Sequence, residues 1–310
     1  MLLAARDYGG IALLGVAGWV LLAQSNSFYS SVFAAILIWT VATSGLNVIA
    51  GLGGYPSLVQ GGFYGLGAYG SALALDAGLS PGLALLAAVG LACGSGLVIG
   101  LIFARTRGQY FAIGTLFFGV IVALVLNNWA SLTGGPLGIN VPFVFDGNQP
   151  LDAIIPACAA GAMALVRFIS RRQLGQRLLT VREDEDLAEH VGVPTGRTKL
   201  AGFVLSAGIG GLAGTLIAQY NSTLSPDMFD YSVGFVMFVA LSVGGAGRVL
   251  GPLFGSAFIV GVPDMLNLPS GIGLLLVGLV FIVVVVLLPG GLMSALDAVL
   301  AWRPGRAATR

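Results

Sequence analysis

Residues 170–199, SRRQLGQRLLTVREDEDLAEHVGVPTGRTK, are the densest collection of reactive groups in this 310-residue chain. They hold six of its fourteen basic residues, five of its thirteen acidic ones and its single histidine, His190. Acid–base or metal chemistry would need these groups to converge. His190 has no second His or Cys near it to complete a metal site. The close acid pairs, Glu183 to Asp186, suit the start of a helix, whose dipole favours negative charge there. Ser206 and Ser242 lie in apolar segments with no histidine base, which points to hydroxyl-to-backbone bonding. There is no Gly-x4-Gly-Lys-Ser/Thr phosphate loop, since the only lysine, Lys199, is followed by Leu200. No catalytic residue, metal or cofactor is therefore expected. If ATP drives this protein, another chain must bring the ATPase.

What the island can do is bind. Thr180 and Glu183 have the spacing of a capping box, and the acids that follow fall in the N-terminal half of a helix over 181–191. Leu187, Ala188 and Val191 form one small apolar face by their i, i+3 and i, i+4 steps. Gly192 is placed to end the helix in a left-handed conformation, and Pro194 discourages a restart. Some eleven residues are too few to be stable alone in water, so this helix needs a partner surface.

The elements that must position the island are apolar. Hydrophobic residues make up 57% of the chain and charged ones 9%, with 48 glycines. That composition lies outside the soluble globular range, and near-neutral net charge excludes nucleic acid as a partner. Several runs approach the roughly 20 residues that cross a hydrocarbon layer as helix. Ten spans are expected, near 9–24, 30–50, 57–75, 82–104, 110–129, 152–169, 200–220, 231–247, 251–267 and 271–289. The first reads as a span and not as a cleavable signal peptide. Cys93 and Cys158 lie in apolar runs and read as small core thiols.

Charge orients the spans. Arg6, Arg105, Arg107, Arg167, the island, Arg248, Arg303, Arg306 and Arg310 fall on one side. Asp76, Asp146, Asp152, Asp227, Asp230 and Asp264 mark the other, which has no Lys or Arg. The positive-inside rule puts both termini and the island in the cytoplasm. Of two outside connections, 130–150 is broken repeatedly by Gly and Pro and is expected to be irregular, and 221–230 contains Ser225-Pro226-Asp227. Gly-Gly pairs at 53–54 and 244–245, each followed by a Phe nine residues on, make a weak internal echo that reads as chance.

Charged residues are missing from the central parts of the spans, which argues against a proton-coupled carrier. Glycines four apart, at 61 and 65, 90 and 94, 96 and 100, 210 and 214, and 251 and 255, suit close helix packing. Candidates for a substrate path are polar or aromatic groups in or beside spans: Asn47, Gln60, Phe63, Tyr69, Thr115, Asn127 and Asn128. Hydrogen bonding between helices accounts for the polar ones equally well.

Four stretches carry a resemblance: GLNVIAGLGGYPSLVQGGFYGLGAYG at 45–70, YFAIGTLFFGVIVALVLNNWASLTGGPLGI at 110–139, LGQRLLTVREDEDLAEHVGVPTGRTKLAGFVLSAGIGGLAG at 174–214, and SPDMFDYSVGFVMFVALSVGGAGRVLGPLFGSAF at 225–258. Together the chain resembles the LivM-like permeases of branched-chain amino-acid ABC importers. The resemblance implies an all-α polytopic membrane protein of about ten transmembrane helices, one permease domain with a cytoplasmic coupling loop at 170–199. It implies a bacterial inner-membrane importer subunit among membrane lipid, with two cytoplasmic ATPase subunits, a second permease subunit and a periplasmic substrate-binding protein. The family's coupling segment maps onto Arg182, Glu183, Asp184, Leu187, Ala188, Val191 and Gly192, with Ala188 and Gly192 at its small-residue positions. One departure touches substrate identity: Gly54-Tyr55-Pro56-Ser57-Leu58-Val59-Gln60 stands where Gly-Gln-Leu-Ser-Leu-Gly-His-like residues are common. A permease for urea or another small solute, and a stand-alone channel or ion-coupled carrier, remain alternatives.

Overall fold

In the computed structural model the described residues are 2–24, 27–103, 106–142, 149–221, 223–266, 275, 278–279, 281–283 and 290–294. The described residues are helical almost throughout, as an apolar chain must be where no water satisfies its backbone groups. In order, α1 is Leu2–Gln24 and α2 is Ser27–Leu46, which runs on as a π-helical turn, Asn47–Leu52. Then come α3 (Gln60–Asp76), α4 (Pro81–Phe103), α5 (Gly108–Asn128), the short α6 (Ala130–Thr133) and α7 (Gln149–Arg171). The island supplies α8 (Gln173–Glu183) and α9 (Glu185–His190) and leads into α10 (Thr195–Asn221). Finally α11 (Tyr231–Gly244), α12 (Gly251–Ser256), a π-helical turn (Ala257–Gly261) and α13 (Val262–Met265) follow.

Among the described residues, five helical stretches are long and apolar enough to cross a membrane by length and composition: Phe28–Leu52, Pro81–Phe103, Gly108–Asn128, Leu151–Arg171 and Thr195–Asn221. Gly9–Leu22 and Tyr231–Gly244 are shorter apolar helices. Nine expected ranges fall on helices. The tenth lies largely outside the described residues, as do Arg105, Asp146, Arg303, Arg306 and Arg310.

The centre is α10, packed against α2, α3 and α4; α7 lies against α2, and α1 against α7. Small residues set the closest approach. A methyl group added at Gly67 would overlap the Gly211 backbone, and one at Gly214 would overlap the Tyr64 carbonyl, so α3 and α10 meet backbone to backbone. Gly90 and Gly94 do not share this role, since a Cβ at either would meet nothing within 4 Å.

The connections that follow α5 and α10 are tied together. Within 130–142 the chain forms α6, a 3-10 turn at Gly135–Leu137 and strand β1 (Ile139–Asn140). That strand pairs antiparallel with β2 (Thr223–Leu224), Ile139 opposite Leu224 and Asn140 opposite Thr223. The first connection is thus partly ordered where irregular chain was expected. Pairing across two loops supplied the order, and loop composition carries no sign of it.

Candidate functional site

The island folds as two helices and not as one over 181–191. Leu178 and Val181 are buried, three residues apart on one face, and they hold the chain in α8 as far as Glu183. The Thr180 hydroxyl donates to Gln176 O inside α8 at 3.0 Å, so it is not the cap. Asp184 is: its backbone is extended and its carboxylate accepts from the Leu187 N–H at 3.0 Å. At the other end Gly192 has φ +84°. Val193 N–H donates to Ala188 O at 2.9 Å and Gly192 N–H to Glu189 O at 3.0 Å. This is the Schellman closure expected at that glycine. Pro194 does not delay the next helix; its carbonyl accepts from the Thr198 N–H, and α10 begins at Thr195.

The expected apolar face is split. Ala188 is fully buried, whereas Leu187 is 61% and Val191 65% exposed. On a helix of six residues, Ala188 docks α9 to its own chain, while Leu187 and Val191 project outward.

The acids answer to cations as well as to a helix dipole. Glu185 is the hub: Lys199 Nζ lies 2.5 Å from Oε1 and Arg107 Nε 3.3 Å from it. The Tyr55 hydroxyl donates to Oε2 at 2.5 Å. Arg107 also pairs with Asp186 and, at 3.5 Å, with Glu189. Lys199 Nζ donates to Thr106 O at 3.3 Å and sits 4.4 Å above the Tyr55 ring. Four segments are thereby clamped: the chain before α3, the start of α5, α9 and the start of α10. Burial, then the hydrogen bond to Glu185, push the Tyr55 phenol above its ordinary value. The Arg107 guanidinium is held up mainly by its hydrogen bond to Asp186 and the charge of Glu185. His190 turns back on its own helix, Nδ1 lying 2.6 Å from Asp186 O.

Of the expected coupling residues, Arg182 is exposed as a whole, and its Nη1 reaches back to donate to Gly51 O at 2.7 Å. Glu183 and Asp184 are exposed at the break between α8 and α9. Sequence reasoning missed Tyr55, Thr106, Arg107 and Lys199. Tyr55 stands at the departure noted above, which was the one available signal; its place beside Lys199, 4.4 Å from the ring, follows only from the fold.

From the clamp a line of rings runs into the bundle. Tyr55 meets Phe111 at 5.5 Å, Phe111 meets Phe203 at 5.6 Å, and Phe203 meets Phe63 at 5.4 Å. One turn from Phe63, Gln60 Nε2 donates to Ala42 O at 2.8 Å and Ser206 O at 3.3 Å, and its Oε1 accepts from the Ser206 hydroxyl at 3.0 Å. Ser206 thus bonds a side chain, not the backbone as expected; Ser242 does bond backbone, at Phe238 O. Thr115 accepts from Leu58 N–H at 3.2 Å and donates to Ala112 O. Asn47 grips a turn far along the chain: Oδ1 accepts from Gly247 N–H and Nδ2 donates to Arg248 O, both at 2.8 Å. Tyr69 is buried beside Phe229, with no hydrogen-bond partner for its hydroxyl among the described residues. Asn127 and Asn128 stand apart, exposed at the far end of α5. The structure therefore gathers Gln60, Phe63 and Thr115 near one region and leaves the two asparagines out of it.

The family model described as the branched-chain amino acid transport system / permease component matches residues 28–285. The chain is similar to the high-affinity branched-chain amino acid transport system permease protein LivM of Salmonella typhimurium, at 28% identity over 96% of this chain and 77% of that protein. LivM of Escherichia coli K12 is 29% identical over 83% of this chain and 68% of its own length. LivH of the same strain is 25% identical over 72% of this chain and 79% of its own length. No solved structure matches.

Proposed function

The chain belongs to the branched-chain amino acid transport system permease family, and on that premise we propose that it is the transmembrane subunit of an ATP-driven importer for branched-chain amino acids. It is a multipass membrane protein of the bacterial inner membrane, with ten spans and both termini cytoplasmic. It works beside a second permease subunit, two cytoplasmic ATPases and a periplasmic binding protein. Transport proceeds by alternating access. ATP closes the motor dimer, α9 shifts with it, and the bundle exchanges outward and inward openings. Only contacts that differ between the two motor states can drive this exchange.

The observation that carries the reading is the split face of α9. Leu187 and Val191 project outward as a small apolar knob, while Ala188 beneath them is sealed. Glu185 and Asp186 fasten the same helix to Lys199 and Arg107. A knob so fastened passes displacement to α3, α5 and α10 and does not yield locally. The ring line from Tyr55 to Phe63 continues that path toward Gln60 and Ser206, where we place the pathway residues.

The test is substrate-stimulated ATP turnover by the purified complex. Leu187→Asp or Val191→Asp should abolish the stimulation while the isolated ATPases stay folded. Undiminished stimulation would overturn the coupling role. Uptake by the lone chain in vesicles would instead make it a channel or carrier.

A further inference from the structure

A cavity of about 910 Å³ opens between α1, α7, α8 and the 247–250 turn, away from the clamp. Arg167, Arg171 and Arg248 line it, together with apolar side chains that include Ile11, Leu14 and Leu52. Leu14 also lines a second crevice, of about 220 Å³, whose walls on α1, α2, α7 and α12 are apolar side chains and glycines alone.

The two spaces follow one helix face. Along α7, Arg171, Arg167, Met163, Ala159 and Pro156 recur in steps of four or three residues, so they share a stripe. Two cationic positions at one end give way to three apolar ones. On α1, Ile11, Leu14, Gly18 and Leu21 repeat the same spacing opposite them. At about 1.5 Å per residue, the α7 stripe is about 22 Å long, the scale of one lipid leaflet.

A soluble anion would use only the cationic end of this space, and a wholly apolar occupant only the crevice. We propose that this groove binds an anionic phospholipid, its phosphate at Arg167, Arg171 and Arg248 and one acyl chain along the crevice between α1 and α7. This rests on the reading of α1 and α7 as membrane spans, and positive-inside orientation puts the headgroup in the cytoplasmic leaflet. The three arginines have contacts of their own within the chain. A guanidinium carries five N–H donors, so such contacts and a phosphate are compatible.

The purified, delipidated permease is incubated with equal amounts of phosphatidylglycerol and phosphatidylethanolamine, and native mass spectrometry counts the lipid retained. Phosphatidylglycerol should be retained roughly tenfold over phosphatidylethanolamine, which offers the same phosphate but brings a cationic ammonium against three guanidiniums. Arg167→Gln with Arg171→Gln should erase that preference. Gly18→Leu, whose added carbons meet Leu37 and Pro156 in the crevice, should lower retention without touching any charge. Millimolar inorganic phosphate should leave the lipid bound. Equal retention of both lipids, a preference unchanged in the arginine variant, full retention in Gly18→Leu, or displacement by phosphate would each overturn the proposal. The Gly18 variant decides if the arginine variant does not fold. Retention is read without transport or ATP, so failure of the coupling reading leaves this result standing, and the converse holds too.

Discussion

The Glu185 carboxylate and the Lys199 ammonium lie 2.5 Å apart, with Lys199 only 2% exposed. The contact joins the first residue of α9 to the start of α10. Taking both charges out of water is costly, and the Tyr55 hydroxyl and Thr106 carbonyl offset part of that cost.

Removing Glu185 should therefore cost about 3–5 kcal/mol, because it leaves the Lys199 charge buried without its counterion, and removing Lys199 should cost less, because Arg107 stays 3.3 Å from the Glu185 carboxylate. Glu185→Gln and Lys199→Met are each expected to lower the unfolding midpoint in detergent. The double variant should recover part of the loss. Strictly additive losses would show that the two charges do not depend on each other.

The two sides of α9 should respond in opposite ways. Ala188→Leu overpacks a sealed position and should cost about 1–3 kcal/mol. Leu187→Ala, at an exposed position, should stay within about 0.5 kcal/mol yet weaken retention of the ATPases on co-purification. Equal stability of the two variants would mean that Ala188 is not the docking side.

Among the candidate asparagines, Asn47→Ala should cost about 1–3 kcal/mol, since it strands the Gly247 N–H and Arg248 carbonyl in a part-buried turn. Asn128→Ala should be near neutral, because its bond to Leu124 O is exposed. Thermal unfolding of the two variants side by side checks this.

The Tyr55 phenol loses its proton later in the folded chain than in the unfolded one, because burial and the Glu185 carboxylate oppose the phenolate. Its contribution to stability is thus complete below the ordinary tyrosine value of about 10 and declines as pH rises above that. Unfolding midpoints from about pH 9 to about pH 11 should fall more steeply for wild type than for Tyr55→Phe. Parallel falls would remove Tyr55 from the clamp.

Much of the helical layout is legible in the chain. Apolar runs long enough to cross a hydrocarbon layer leave the backbone no choice but helix, and nine expected ranges coincide with helices. Gly192 is legible because its left-handed turn is a local property of a residue without Cβ. The helix start was misread for a physical reason. Thr180 and Asp184 are both good caps, and the burial of Leu178 and Val181 decides between them by holding the chain in α8 through Glu183.

By itself the sequence determines an all-helical membrane chain with one charged island and a place where that island turns. Apolar run length, charge placement and glycine act locally and are written in residue order. Tertiary structure alone decides that Ala188 faces in and Leu187 out, that Arg107 reaches Asp186 across 79 positions, and that Asn47 grips a turn 200 residues away. Periodicity defines the faces of a helix, but only the packing of its neighbours selects which face they cover. A carboxylate finds its cation only where the chain's other turns have brought one.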